Sequence, residues 1–197
     1  MMGTDSLRHH YQAQFRAFGD AALGTQMSRE GQRFRFGKLL EIGDLTDRSV
    51  LDVGSGLGDL YPYLHAAYPN ARYEGIDVVP EMVACAAGKY AGVPFRAVDL
   101  LRESLPNRYD YVLMSAIFNN AMPDPTMFLE SLVEQAWQYA DTGLGFNFLS
   151  SHVNFTEPTM AYHDPARVLA FVIGRLSRKV RVEHHYERCD VAVFVYR

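Results

Sequence analysis

The chain has 197 residues, 48% of them hydrophobic and 21% charged. That is enough for one globular domain with a full core and short for two. Nineteen basic residues against 23 acidic ones leave a formal net charge of −4, which argues against a broad phosphate-binding surface and hence against a nucleic-acid partner.

Only two cysteines occur, Cys85 and Cys189, too few for a disulfide framework or a zinc site and in keeping with a reducing compartment. No apolar run approaches the ~20 residues that span a bilayer, so no membrane association is expected. The opening stretch MMGTDSLRHHYQAQF is too polar for a secretory signal. A cytoplasmic location is therefore expected.

Neither repeats nor low-complexity tracts nor linkers break the chain, which reads as a single domain over 1–197. Helical patterning runs from Ser6 to Phe18. It resumes after Ser28, a good N-cap, with Phe34, Leu39, Leu40 and Ile42 directed inward. Between the two lies a loop, GDAALGTQM. From Val50 onward short apolar runs alternate with helical ones. Strands are expected at Val50–Val53, Tyr73–Ile76, Phe95–Val98, Tyr111–Met114 and Leu144–Leu149. Helices are expected at Asp59–Ala67, Pro80–Ala87, Pro125–Ala140 and Pro165–Leu176. Asp124-Pro125 and Asp164-Pro165 are start signals, an aspartate cap before a proline in the first helical position. The C-terminal KVRVEHHYERCDVAVFVYR holds two strand-like runs and no helix. The expected fold is thus α/β, a Rossmann-like three-layer sandwich whose mostly parallel seven-stranded sheet ends in an antiparallel hairpin.

The informative stretch is VLDVGSGLGDL, Val50 to Leu60. A buried strand runs into a glycine loop and then opens a helix. Its glycines, Gly54, Gly56 and Gly58, follow G-x-G-x-G, whereas a dinucleotide site wants G-x-G-x-x-G. The position of that last glycine is Asp59. A carboxylate there repels a pyrophosphate at the helix N-terminus and suits a ligand bearing cationic groups, and Asp52 adds to the same negative field. Downstream, YEGIDVVPEM places Asp77 at the end of the second strand, where a carboxylate accepts ribose hydroxyls or caps the helix after Pro80. FRAVDLL puts Asp99 after the third strand, able to accept from an adenine amino group. YDYVLMSAIFNN ends the fourth strand in small residues, Ser115 and Ala116.

With these four motifs in order and the closing hairpin, the chain from Ser49 to Arg197 resembles the class I S-adenosylmethionine-dependent methyltransferases, in particular small bacterial members. The resemblance implies S-adenosylmethionine as the cofactor. Gly54, Ser55, Gly56, Gly58 and Asp59 would stand around its methionyl part, Asp77 with Val78 and Met82 at the ribose, Asp99 and Leu100 at the adenine, and Ser115 near the reacting group. The stretch SREGQRFRF is similar to the opening segment of some such enzymes through Ser28, Gln32, Arg35 and Phe36. Arg35 there either pairs with the methionine carboxylate or sits solvated on a helix surface. Tyr11 either covers the cofactor or packs against the first helix. Residues 1–48 read as a helical lid on a 49–197 core.

The acceptor is expected to be small, because only that lid and the Ser150–His163 loop remain to cover it. Candidates in the crevice at the strand ends are Asn119, Asn120, His152, Tyr162 and His163, with Asn154 beside them. Phe118, Phe155 and Tyr162 suggest a partly apolar acceptor. The adjacent pairs His9-His10 and His184-His185 read as surface residues, and His65 as partly buried in the first core helix. SAIF replaces the N/D-P-P-Y/F sequence of nucleic-acid amino-methyltransferases. Ser115 stands where metal-dependent catechol-type enzymes place an acid, so no metal is expected. Two other readings stay open, a nicotinamide-dependent oxidoreductase and a non-catalytic module that binds the cofactor. The expected working unit is a monomer or homodimer.

Overall fold

The computed structural model describes residues 3–21, 24, 28–184 and 189–197. Helix α1 (Gly3–Phe18) and helix α2 (Arg29–Leu39) precede the sheet, and a 3-10 turn over Leu40–Ile42 follows α2. Strands and helices then alternate: β1 (Ser49–Val53), α3 (Leu60–Ala67), β2 (Arg72–Asp77), α4 (Pro80–Lys89), β3 (Phe95–Ala97), β4 (Tyr109–Met114), α5 (Pro125–Trp137), β5 (Ala140–Leu149) and α6 (Pro165–Arg175). The chain closes with β6 (Val180–Glu183) and β7 (Asp190–Tyr196). The cap signals act as their chemistry dictates: Ser28, Asp124 and Asp164 each accept a backbone N–H of the turn they open, from Gly31, Met127 and Ala166.

The seven strands form one sheet in the order β3-β2-β1-β4-β5-β7-β6. Pairing is parallel from β3 through β5, and β7 enters antiparallel between β5 and β6. Both faces are covered, which is why β1 and β4 read as continuous apolar runs. On one face α2 and α3 bring Phe36, Leu39, Leu60 and Leu64 against Val50, Leu113 and Phe194. On the other, α5 and α6 lay Leu129, Val133, Ala136, Val168 and Val172 on Leu51, Val112, Phe146 and Val193. A third cluster, Leu57, Val79 and Met82, receives Tyr11 and Phe15 of α1. Among the described residues no helix is long and apolar enough to cross a membrane.

Several expectations shift. Helix α5 stops at Trp137, and Ala140 already pairs with Tyr109 as the first residue of β5. The early part of that strand was hidden by Asp141, Thr142 and Gly143, which break the apolar pattern. The glycines are there for space: a Cβ on Gly145 would come within 3.3 Å of Leu113, Ile42 and Phe194. In α2 it is Phe36, not Phe34, that is buried. His65 is exposed on α3 and stacks on Tyr61 at 5.6 Å rather than entering the core. His9, His10 and His184 are exposed as expected. His185, the hairpin turn at 185–188 and most of the 19–27 loop lie outside the described residues.

Candidate functional site

Sheet order reverses at β1, which has β2 and then β3 on one side and β4 on the other. In an open α/β sheet that switch point opens a crevice beyond the carboxyl ends of the strands. A cavity occupies it, and each of the four loops contributes. Gly54 to Leu57 and Asp59 come from the loop after β1, Asp77 and Val78 from that after β2, Val98, Asp99 and Leu100 from that after β3, and Ser115 to Ile117 from that after β4. Met82 of α4 and Phe128 and Leu132 of α5 complete the walls, with Leu7 and Tyr11 of α1 and Gln32 and Phe36 of α2 across from them.

The loop after β1 turns on glycine. Gly54, Gly56 and Gly58 have φ of 75°, 53° and 74°, the left-handed region that other residues rarely hold. Gly58 does not border the cavity. A Cβ on it would stand 2.7 Å from Phe95 and 3.2 Å from Ala86, so it supplies the close helix–strand approach that the third glycine of a dinucleotide loop gives. Spacing alone therefore separates the two loop types less sharply than expected.

Charge in the cavity also differs from expectation. Asp59 accepts from Lys89 Nζ at 2.9 Å and from Gln32 Nε2 at 3.3 Å. Burial opposes the Lys89 charge, but hydrogen bonds to Asp20 and Asp59 push its pKa up to about 12. The Asp59 carboxylate is thus compensated, and its repulsion of a pyrophosphate is weaker than the sequence implies. Asp52 is buried and accepts from Tyr73 Oη at 2.7 Å. Burial, opposed by that hydrogen bond, lifts its carboxyl to about 7, which weakens the negative field expected from it.

Asp77 takes the local backbone role that one of its two readings expected. Its oxygens accept from Gly56 N at 2.8 Å and Val79 N at 2.9 Å, fixing the glycine loop to the start of α4, and it still faces the cavity. Asp99 makes a local turn, accepting from Leu101 N at 3.1 Å, and pairs with Arg102 at 3.4 Å. Ser55 Oγ and Ser115 Oγ are buried with no hydrogen-bond partner among the described residues.

A second cavity adjoins the first. Asn119 and Asn120 border it together with Tyr162, Glu157, Arg35 and Cys189, and Leu149, Val153, Phe155 and Met160 give it apolar walls. Tyr11 and Ala116 border both cavities. Asn120 Nδ2 donates to Tyr11 Oη at 2.7 Å. Burial, opposed by that bond, raises the Tyr11 pKa to about 12, so the phenol stays protonated.

Four candidates are placed elsewhere. Arg35 borders the second cavity rather than the first, and it is neither solvated nor open to a carboxylate of the first, because it pairs at 2.8 Å with fully buried Asp190. His163 is buried between Phe148 and the Phe118 carbonyl, 3.0 Å from its Nε2, outside both cavities. Burial, against that carbonyl, lowers its pKa and keeps it neutral. His152 and Asn154 are exposed and border neither cavity. Phe118 is likewise core, packed on Phe128 and Phe146. Cys189 carries no signal in the sequence, since no pattern shows that it lies at a strand end, and Glu157, inside the Ser150–His163 loop expected over the crevice, has nothing local to single it out. The α5 face did carry a signal for Phe128 and Leu132, which its apolar periodicity set inward.

Known proteins resemble this chain in sequence and in fold. A family pattern described as a methyltransferase domain matches residues 50–136. A Mycobacterium tuberculosis protein named as a methyltransferase is 28% identical over 153 residues, covering 75% of this chain and 92% of its own. The malonyl-[acyl-carrier protein] O-methyltransferase of Acetivibrio thermocellus is 30% identical over 139 residues, 66% of this chain but 47% of that protein. Among solved structures, magnesium protoporphyrin IX methyltransferase from Synechocystis, with S-adenosylhomocysteine bound, superposes with a TM-score of 0.72 at 19% identity. That superposition covers 98% of this chain and 97% of that one.

Proposed function

We propose that this chain is a class I S-adenosylmethionine-dependent methyltransferase that methylates a small organic acceptor seated in the second cavity, a reading supported by the methyltransferase-domain match over residues 50–136 and by the shared fold. The carrying observation is that Tyr11 and Ala116 border both cavities, so a cofactor in the first and an acceptor in the second meet between them.

Residues of the first cavity fit the cofactor. Each Asp77 oxygen has one lone pair engaged by a backbone N–H and one left for a ribose hydroxyl. Val78, Val98 and Leu100 offer an apolar slot for the adenine, beside Asp99. Buried Ser55 and Ser115 hydroxyls without protein partners suit the polar methionyl end. The cofactor supplies a methyl group made electrophilic by a sulfonium. What the chain's own residues do is align the acceptor and exclude water, and alignment alone is worth ~7–11 kcal/mol in well-oriented reactions. Tyr11 closes the junction from α1, and we take residues 1–48 as the lid on the 49–197 core. The −4 net charge supports a small acceptor over a nucleic acid.

Calorimetric titration with S-adenosylhomocysteine tests the cofactor site. Asp77→Ala is expected to lose ~1.5–3 kcal/mol of binding, the worth of a hydrogen bond to a charged group. An affinity equal to the parent's would remove Asp77 from that site. S-adenosylhomocysteine release across an acceptor panel then tests turnover.

A further inference from the structure

Asn119 is 8% exposed, borders the second cavity, and its Oδ1 has no hydrogen-bond partner among the described residues. Its neighbour Asn120, equally polar and on the same wall, is committed to Tyr11. The backbone around Asn119 is fixed. Its carbonyl accepts from Ala161 N at 2.9 Å, Ala121 N donates to Thr159 O at 3.0 Å, and Asn120 bridges Met160. An amide on a pinned backbone with a buried, unsatisfied acceptor destabilises the free protein. The Asn χ2 rotor is broad, so a modest turn brings that oxygen to bear on whatever fills the cavity. The rest of the wall is mixed: Leu149, Val153, Phe155 and Met160 are apolar, and of the polar residues Ser28, Arg35, Glu157 and Tyr162, Ser28 caps α2, Arg35 pairs with Asp190, and Tyr162 Oη accepts from Glu157 N.

We infer that Asn119 is a specificity-determining residue that takes a hydrogen bond from the methyl acceptor. The acceptor class is then a small molecule with an apolar body and an O–H or N–H donor. The inference rests on the second cavity being the acceptor site. Asn120 and Asn119 divide the work: one holds Tyr11 at the junction, the other reads the acceptor. A site built to satisfy a donor rejects an analogue lacking it, because the buried amide is again left unpaired.

Ligand-observed NMR on the full chain saturated with S-adenosylhomocysteine tests this without turnover. The probes are matched pairs: phenol with anisole, catechol with veratrole, and aniline with N,N-dimethylaniline. The parent protein is expected to bind donor-bearing probes at least about 5-fold more tightly than their capped partners, the worth of one net hydrogen bond. In Asn119→Leu that preference falls to within about 2-fold, because the donor-bearing probes lose the acceptor that the capped ones never used. S-adenosylhomocysteine affinity stays at the parent value in the variant, and its melting temperature is equal or higher, since the unsatisfied acceptor is gone. Asn119→Ala serves as a second variant should the leucine fail to fold. No preference in the parent, a preference that survives in the variant, or a lowered melting temperature in both variants overturns the role of Asn119. If no probe of any pair binds the parent, the acceptor assignment of the second cavity falls, and the inference with it.

Discussion

Ala116 has φ 59°, a conformation that costs an L side chain energy, at the place where the two cavities meet. Such strain persists only where the surroundings enforce it, and here the enforcer is Asn147. Fully buried in β5, Asn147 accepts from Ala116 N through Oδ1 at 2.7 Å. Asn147→Leu leaves a buried N–H unpaired and is expected to cost ~1–3 kcal/mol in urea melts, with a matching loss of S-adenosylhomocysteine affinity as the loop relaxes. A variant as stable as the parent would show that Ala116 is held by something else. The small residues Ser115 and Ala116 were visible in the sequence, but the residue that strains one of them was not, because GFNF reads as ordinary strand. The same limit explains the other residue-scale surprises. Asp59 finds Lys89 thirty positions away, His163 the Phe118 carbonyl across 45, and Arg35 Asp190 across 155. Spacing along the chain carries no information about such partners, and they decide whether a charge is free, compensated or buried.

Helix α1 is tied down differently from the central strands of the sheet. None of its described residues is fully buried, whereas four of the five residues of β1 are. Its polar ties lie at or near the surface: Asp5 with Arg102 at 2.7 Å, Gln12 with Glu81 at 3.2 Å, and Tyr11 with Asn120. Elements with few buried contacts open locally at far lower free energy than the whole fold. Hydrogen-exchange mass spectrometry is therefore expected to show α1 amides exchanging well before those of β1 and β4. Added S-adenosylhomocysteine should slow α1 selectively, as it buries Leu7 and Tyr11 from below. Equal α1 exchange with and without the ligand would rule out the lid. The existence and type of each core element were legible, because caps, prolines and periodicity are local. Boundaries were not, where an element's end is set by a partner: Ala140 continues the apolar face of α5 yet belongs to β5 because Tyr109 pairs with it.

At the scale of the molecule, four loop motifs spread over some seventy residues converge because the sheet order places β1 between β2 and β4. The order of the motifs in the chain made that convergence legible, but convergence also buries acids together, and burial sets a pH dependence for the whole fold. Asp52 titrates near 7 in the folded protein, raised by burial, against 3.8 for the ordinary carboxyl. Asp77 is raised by burial too, although the Val79 and Gly56 N–H groups oppose it. Between about pH 4 and pH 7 the folded state therefore holds a proton on Asp52 that the unfolded chain has released, and stability falls as pH rises through that window, with Asp77 acting in the same direction. Below pH 4 both states are protonated and the contribution is complete; above 7 it is gone. His163 runs the other way. Its lowered pKa means the unfolded chain takes up a proton first as pH drops below about 6.5, so its contribution is lost on acidification. The two slopes overlap below about pH 6.5, and a melt of the parent alone would mix them. Asp52→Asn separates them, since the amide oxygen still accepts from Tyr73 and cannot ionise. Urea melts of both proteins from pH 5 to 8 are expected to show the variant gaining on the parent as pH rises. The gain levels off above 7 and, from pH 5 upward, totals on the order of 3 kcal/mol at most, because each tenfold change in proton affinity is worth about 1.36 kcal/mol. A difference between the two that does not change with pH would mean that Asp52 is already ionised in the folded protein, and that the negative field implied by its position beside the glycine loop is there after all.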